Sequence, residues 1–220
     1  MRPVLLSAAL LALLAPAAAA QGHAGHDSAA HVQPRQTAPR PAGWAIRYDR
    51  ANAVDSTFRF VEMAPGWHIT TGPAAIVYEK GKTAAGDFGL EAELFLFPGE
   101  RAEAFGVFVG GSDLEGEGQR YTYFVLRKTG EFLVRRREGA AVRDLVAWTA
   151  HAAIPKHEAA EGTVRYVLGV GAQGDSVRFT VNGAEVAALP RAAVMPDGAY
   201  GLRVNHMLDL HVTALGLAAR

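Results

Sequence analysis

The chain contains no cysteine among its 220 residues. This absence excludes disulfide bonds, thiolate catalysis and thiolate metal ligands. It also excludes a lipid anchor attached to an N-terminal cysteine. The fold must therefore be stabilised by a hydrophobic core, which a chain of this length can form without covalent cross-links.

An excess of charge of either sign is also missing. The 22 basic side chains balance the 22 acidic ones, and the formal net charge at pH 7 is zero. A balanced chain lacks the broad basic surface that attracts nucleic acids or anionic membranes. We therefore expect no nucleic-acid partner, and we expect charge to act only locally.

Long hydrophobic runs are absent apart from one near the N-terminus. Residues 4–14 are apolar, follow Arg2, and precede Pro16 and four alanines at 17–20. A membrane-spanning helix needs about 20 apolar residues, so this layout is typical of a signal peptide cleaved after Ala20. The sequence thus predicts a signal peptide over residues 1–20 and an exported protein, periplasmic or extracellular, without membrane insertion.

Residues 21–43 have no apolar periodicity and are rich in glycine, alanine, proline and histidine. Such a composition cannot repay the entropy lost on ordering, so we predict a disordered linker. Its histidines His23, His26 and His31 have no scaffold to fix metal geometry, and we predict no metal site there. Residues 44–220 are then expected to form one domain.

Helical periodicity is absent from that domain, whereas strand-like alternation is frequent. Residues 88–97 and 164–170 alternate apolar with polar or small side chains. Residues 177–181 end at Asn182-Gly183, the dipeptide favoured in two-residue hairpin turns. Many short strands without intervening helices predict the all-β class, as an antiparallel β-sandwich of the jelly-roll type.

The order of the strand-like segments carries a family resemblance. The segments are Trp67 with Thr70-Thr71-Gly72-Pro73, residues 87–93 (DFGLEAE), 105–111 (FGVFVGG), 121–127 (YTYFVLR), 181–186 (VNGAEV) and 197–204 (DGAYGLRV). Together they resemble the concanavalin A-like lectin/glucanase superfamily, which includes laminin-G-like domains. The likeness covers about residues 55–217 and looks closest to the 3-keto-disaccharide hydrolase-type, family-16-like branch. It implies a jelly roll and a carbohydrate ligand.

The catalytic pattern of that superfamily is incomplete in this chain. Its glucanases carry E-x-D-x-E or E-x-D-x-x-E on one strand, because two carboxylates must flank the scissile bond. Here Glu91-x-Glu93 is the nearest match, with Phe95 at the third position. The two glutamates share one strand face about 7 Å apart. In an enzyme, one of these glutamates or His206 would act as the acid or base. Otherwise the two glutamates bind sugar hydroxyls or form a solvated surface.

Four other residues are candidates for ligand binding. Arg203 and Asn205 combine a rigid donor fork with an amide, which suits sugar hydroxyls or a carboxylate. Their alternative roles are a surface arginine paired with Asp209 and an asparagine in a turn. Tyr123 and Arg127 share one strand face, and they either stack on and hold a sugar or pack within the sheet. We expect these four to line one groove with Glu91, Glu93 and His206.

Two further charged segments have simple interpretations. Asp113, Glu115 and Glu117 alternate in a glycine-rich loop, which is either a Ca²⁺ site or a solvated loop without a cofactor. The run 135–137 contains three arginines. Because successive strand residues point to opposite faces, this run predicts a charged edge strand rather than one basic stripe.

These observations leave three functional hypotheses. The leading one is an exported β-sandwich that binds carbohydrate. The first alternative, implied by the family resemblance, is a glycoside hydrolase-type enzyme acting on disaccharides or their 3-keto forms. The second alternative is a structural or adhesion module without a small ligand.

Overall fold

The computed structural model describes residues 39–157 and 162–218. The predicted signal peptide and most of the predicted linker therefore lie outside the described residues. No helix in the described part of the chain is long and apolar enough to cross a membrane.

The described residues form fifteen strands, one 3-10 turn and one short helix. The strands are β1 (Trp44–Tyr48), β2 (Arg59–Glu62), β3 (Trp67–Thr70), β4 (Ala75–Glu79), β5 (Thr83–Ala84), β6 (Phe88–Leu96), β7 (Phe105–Ser112), β8 (Arg120–Arg127), β9 (Glu131–Glu138), β10 (Ala141–Ala150), β11 (Val164–Gln173), β12 (Ser176–Val181), β13 (Ala184–Pro190), β14 (Gly198–Val204) and β15 (Asp209–Leu217). The 3-10 turn is Asp55–Thr57, and the helix α1 is Arg191–Val194.

The strands assemble into two antiparallel sheets. Sheet A has the order β1-β4-β14-β7-β8-β9-β10, with β5 paired to β14. Sheet B has the order β13-β12-β11-β6-β15-β3-β2. Neighbours that are distant in sequence, such as β14 and β7, give the jelly-roll arrangement. The predicted all-β antiparallel sandwich is confirmed.

The core lies between the sheets and follows directly from the alternation in the strands. From sheet B, Leu90 and Leu94 of β6 point inward, and from sheet A, Phe124 and Leu126 of β8 do the same. Burying a side chain of this size contributes about 1.5 to 3 kcal/mol. The opposite residues of each strand consequently form an outer face on each sheet.

The hairpin between β12 and β13 has the geometry that its sequence predicts. Asn182 and Gly183 have φ values of 51° and 83°. Two successive positive φ angles are the requirement of a type I′ turn, which asparagine and glycine tolerate best. This turn fixes the pairing of Val181 with Ala184.

The arginine run does not lie on an edge strand, so that prediction is wrong. Strand β9 is flanked by β8 and β10, and β10 is the edge. Strand β10 has two register shifts against β9, which interrupt the alternation that would reveal it in the sequence. Arg136 points inward, is buried, and donates to the carbonyl of Val194 at 3.2 Å. Arg135 and Arg137 point to the outer face of sheet A.

Candidate functional site

The outer face of sheet A carries a second apolar cluster, distinct from the core between the sheets. Its members come from β4, β7, β8 and β9 and from the loops before β7 and β8: Ile76, Tyr78, Ala104, Phe108, Leu114, Tyr121, Tyr123, Val125 and Leu133. The antiparallel register of β8 and β9 places Tyr121 opposite Arg137 and Tyr123 opposite Arg135. This face therefore combines aromatic rings with arginines.

An ion pair between a buried arginine and a partly buried aspartate joins two distant parts of the chain on this face. Arg203, only 6% exposed, donates from Nη1 to Asp49 Oδ1 at 2.6 Å and from Nη2 to Asp49 Oδ2 at 2.7 Å. Its Nη2 also donates to Asn205 Oδ1 at 3.1 Å. The guanidinium carbon lies 5.3 Å from the centre of the Tyr123 ring. These contacts fix the rotamer of Arg203, and the carboxylate of Asp49 compensates its charge.

The sequence correctly places Arg203 on an outer face, but its alternative pairing with Asp209 is wrong. Asp209 belongs to sheet B, where its Oδ1 lies 2.8 Å from Nε2 of His68. The actual partner, Asp49, directly follows β1 and is 154 residues away in sequence. Asp49 is the main site residue that sequence reasoning missed, and only its position at a strand end could have indicated it.

The ionisation of Asp49 is set by its neighbours. Burial by itself raises the pKa of this carboxyl, but the hydrogen bonds and charge of Arg203 outweigh it. Arg137 and His206 act in the same direction as Arg203, and the pKa of Asp49 lies below its usual range. Asp49 is therefore a carboxylate at neutral pH and has no proton to donate as a general acid.

An open cleft of about 700 Å³ adjoins this pair. It lies between the end of β1, the start of β8 and the turn from β9 to β10, and it is lined by Ile46, Arg47, Tyr48, Asp49, Arg50, Ala51, Glu117, Gln119, Arg137, Gly139 and Ala140. Nη1 of Arg137 lies 3.8 Å from Oδ1 of Asp49. Asp49 thus links the buried Arg203 to a space large enough for one or two sugar rings.

The other end of the same face holds Arg127. Its Nε and Nη2 donate to the two carboxylate oxygens of Glu131 at 2.8 and 2.7 Å, and its guanidinium lies 4.2 Å above the Trp148 ring. Between the two ends, Arg135 bonds to Asp144. The carboxylates of Asp49, Glu131 and Asp144 are therefore each held by an arginine.

Three of the other predicted residues lie near the Asp49 pair. Asn205 contacts Arg203 directly, whereas Tyr123 is 8% exposed and is covered by that arginine. His206 is half exposed, and its Nδ1 lies 4.0 Å from Oε2 of Glu103. Burial thus leaves the Tyr123 ring little free surface for stacking on a sugar.

Glu91 and Glu93 do not join this site. They lie on β6, in sheet B, so they occupy the opposite outer face of the sandwich from Tyr123 and Arg203. Glu93 accepts from Arg165 Nε at 2.9 Å and from Thr213 at 2.8 Å, and these hydrogen bonds lower its pKa. The predicted single groove is not formed, because a local strand pattern does not reveal which sheet a strand joins.

The three acidic residues predicted as Ca²⁺ ligands do not converge. Glu115 pairs with Lys80 at 2.7 Å, and Glu117 lines the cleft. The carboxylate of Asp113 packs against the backbone of Gly116. Within residues 39–157 and 162–218, no three histidine or acidic side chains are grouped so that they could hold a metal ion.

Comparison with known proteins gives matches at the level of the fold. No protein-family model and no curated protein matches the chain. Among solved structures, the carbohydrate-binding module CBM66 from Bacillus subtilis superimposes with a TM-score of 0.59 at 13% identity, covering 82% of this chain and all of that one.

Two glucanases superimpose nearly as well. A family 16 endo-glucanase from Bacteroides ovatus has a TM-score of 0.56 at 8% identity, covering 80% of this chain and 94% of that one. A β-glucanase from Bacillus licheniformis has a TM-score of 0.56 at 9% identity, covering 83% and 95%. The chain therefore has the two-sheet jelly-roll fold that these structures share, which is the fold that the family resemblance in its sequence predicts.

Proposed function

We propose that this protein binds carbohydrate in the cleft on the outer face of sheet A. The observation that carries the proposal is the Asp49–Arg203 pair, which is fixed by two hydrogen bonds and borders an open cleft. Fixed polar groups beside a cavity bind hydroxyl-bearing ligands with little loss of side-chain entropy. The fold it shares with a carbohydrate-binding module supports the same conclusion.

Binding is favoured over hydrolysis by the state of the carboxyl groups. Glycosidases need one carboxyl that holds a proton and a second that is free to attack or to activate water. On the outer face of sheet A, Asp49, Glu131 and Asp144 are each engaged by an arginine. Glu117 is the one further carboxylate among the residues that line the cleft, so the cleft offers one free carboxylate and not the pair that hydrolysis needs. Arg203 keeps the pKa of Asp49 low, and hydrogen bonds from Arg127 and Thr129 do the same for Glu131.

Export is part of the same proposal. The N-terminal pattern of Arg2, an apolar run and small residues before Gln21 supports passage through a membrane followed by cleavage. A carbohydrate-binding protein in the periplasm or outside the cell would meet polysaccharides directly.

The test is a calorimetric titration of the purified protein with mono- and oligosaccharides, including 3-keto glycosides. We compare the wild type with Arg137→Ala in the cleft and with Arg178→Ala on sheet B. Arg178 is a control for the loss of one arginine outside the cleft, since it lies on sheet B and is paired with Glu185 at 2.6 Å. We expect Arg137→Ala to weaken binding at least ~10-fold and Arg178→Ala to leave it unchanged.

Either of two results would contradict the proposal. Equal loss of binding in both variants would place the ligand outside the cleft. Absence of binding to every saccharide would favour the adhesion-module hypothesis. Product analysis of the same mixtures distinguishes binding from turnover, because a hydrolase would release shorter sugars.

A further inference from the structure

The cleft on sheet A offers many more hydrogen-bond donors than acceptors. Arginine side chains carry five N–H donors and no acceptor, and Arg47, Arg50 and Arg137 all line the cleft. Both oxygens of Asp49 already accept hydrogen bonds from Arg203. Sugar hydroxyls can accept some of these hydrogen bonds, but a neutral sugar leaves the excess of donors and their charge without a matching anion.

The cleft also has an excess of positive charge. Arg203 compensates Asp49, which leaves Arg47, Arg50 and Arg137 facing one further carboxylate, that of the exposed Glu117. The whole chain is neutral, so this local excess of positive charge is not a general property of the surface. Focused positive charge in a concave site attracts anionic ligands.

Arg137 is partly buried and only weakly compensated. Its side chain is 17% exposed, yet its contact with Asp49 is 3.8 Å long and its Nε donates to the carbonyl of Gly139. Arg47 donates to a neutral carbonyl, that of Leu114. Within the described ranges, neither Arg47 nor Arg50 forms an ion pair. A planar anion entering the cleft would supply the missing acceptors and charge.

We infer that the ligand is an acidic saccharide, one whose sugar ring carries a carboxylate. This inference rests on the proposed function, since it specifies the ligand of the same cleft. The carboxylate would bind the guanidinium of Arg137, with Arg50 contributing from the exposed side. The ring hydroxyls would reach Asp49 and the amide of Gln119.

The experiment compares oligosaccharides of galacturonate, glucuronate and mannuronate with their methyl esters. Esterification keeps the sugar skeleton and replaces the charged carboxylate by a neutral methyl ester. We expect at least one acid to bind ~10-fold or more tightly than its ester at 50 mM salt, and the ratio to shrink at 500 mM salt because screening weakens exposed charge pairs. Acetate at the same concentration should compete poorly, because it lacks the sugar ring.

Two variants test whether the tighter binding of the acid than of its ester arises in the cleft. Arg137→Gln should reduce the ratio of the affinity for the acid to the affinity for its ester to about 1. Arg50→Gln should reduce it by ~2- to 5-fold, as expected for a partner at the rim, and because Arg50 is exposed this variant should fold normally. Arg178→Gln on sheet B is the control that should change nothing.

The outcomes separate this inference from the proposed function. Equal binding of acid and ester, or binding of neutral sugars alone, would overturn the acidic ligand while leaving a carbohydrate site that depends on Arg137. Competition by acetate as strong as by the sugar acid would also overturn it, because the site would then recognise a bare anion. Failure of every saccharide, neutral or acidic, would overturn both proposals.

Discussion

The Arg203–Asp49 pair on the outer face of sheet A and the Arg165–Glu93 pair on the outer face of sheet B differ in the burial of their arginines, and only Arg203 lies against an aromatic ring, that of Tyr123. The Arg203 side chain is 7% exposed beside Asp49, while that of Arg165 is 55% exposed beside Glu93. Both pairs join an arginine to a carboxylate across neighbouring elements. The comparison shows that one chemical pairing can be fixed in a largely buried setting on one face and remain largely solvated on the other.

Burial is what separates the two cases. Two opposite charges that are removed from water attract each other strongly, but either charge is costly when it is left there alone. Removing one partner of a buried pair therefore destabilises the fold more than removing both. Exposed pairs are screened by water and salt and contribute little. A ligand site benefits from the first kind, because its groups are already oriented before the ligand arrives.

The largest expected difference between the two faces is the loss of unfolding free energy when the carboxylate of an ion pair is removed. Asp49→Ala leaves the charge of Arg203 buried without compensation, and we expect a loss of about 3 to 5 kcal/mol of unfolding free energy. Glu93→Ala should cost below about 1 kcal/mol, because Arg165 remains solvated. Urea unfolding monitored by tryptophan fluorescence measures both.

A matched control tests whether charge alone is responsible. The double variant Asp49→Leu/Arg203→Met removes both charges and should recover most of the loss of Asp49→Ala. If Asp49→Ala and Glu93→Ala cost equal amounts, burial would not distinguish the two faces.

The second prediction concerns the aromatic packing that buries the charges of sheet A. A Cβ added at Gly201 would lie 2.3 Å from the carbonyl oxygen of Val77 and 2.7 Å from the Phe108 ring. We expect Gly201→Ala to cost about 1 to 3 kcal/mol through overpacking. Gly171→Ala on sheet B is the control, since a Cβ there meets nothing within 4 Å. Equal thermal stability of the two variants would show that the cluster on sheet A is loosely packed.

Local sequence pattern predicts the strands and the fold well, but it does not predict the site as well. The alternation over 88–97 identifies β6 and shows which of its residues face the core. The Asn182-Gly183 turn is likewise a property of two adjacent residues. These features depend on short-range sterics and on burial of one strand face, and both are visible in a single segment.

The assignment of strands to sheets is not visible in that way. Glu93 and Tyr123 both point outward from their strands, yet β6 and β8 belong to opposite sheets. Asp49 meets Arg203 only because β14 is placed beside β4 through long-range pairing. The sequence pattern does not identify strand β10, because its bulges break the alternation of apolar and polar residues. The composition of the site therefore follows from topology, which no local pattern specifies.

A third prediction uses the lowered pKa of Asp49. A carboxyl whose pKa is lower in the folded than in the unfolded state contributes stability above the unfolded value, about 3.9 for aspartate. That contribution is lost as the pH falls through the folded value. The difference in unfolding free energy between wild type and Asp49→Asn should thus be full at pH 7 and narrow progressively below pH 4.

Urea titrations at pH 7, 4 and 3 measure this difference for each protein. Subtracting the unfolding free energy of the variant from that of the wild type cancels the acid sensitivity of the groups that the two proteins share. Glu93→Gln serves as the comparison on sheet B, where the difference should be small at every pH because Arg165 is mostly solvated. A difference for Asp49→Asn that stays constant down to pH 3 would show that Arg203 does not set the ionisation of this carboxyl.

The smallest effect is expected for the two glutamates that the sequence nominates as catalytic. We expect Glu91→Gln and Glu93→Gln to change stability by less than about 1 kcal/mol. Saccharide binding measured by calorimetry should be unchanged, because β6 lies on the opposite face of the sandwich from the cleft. Loss of binding or of sugar turnover in either variant would place the functional surface on sheet B. The exposed pairs there would then form the site, and the buried pair of sheet A would be structural.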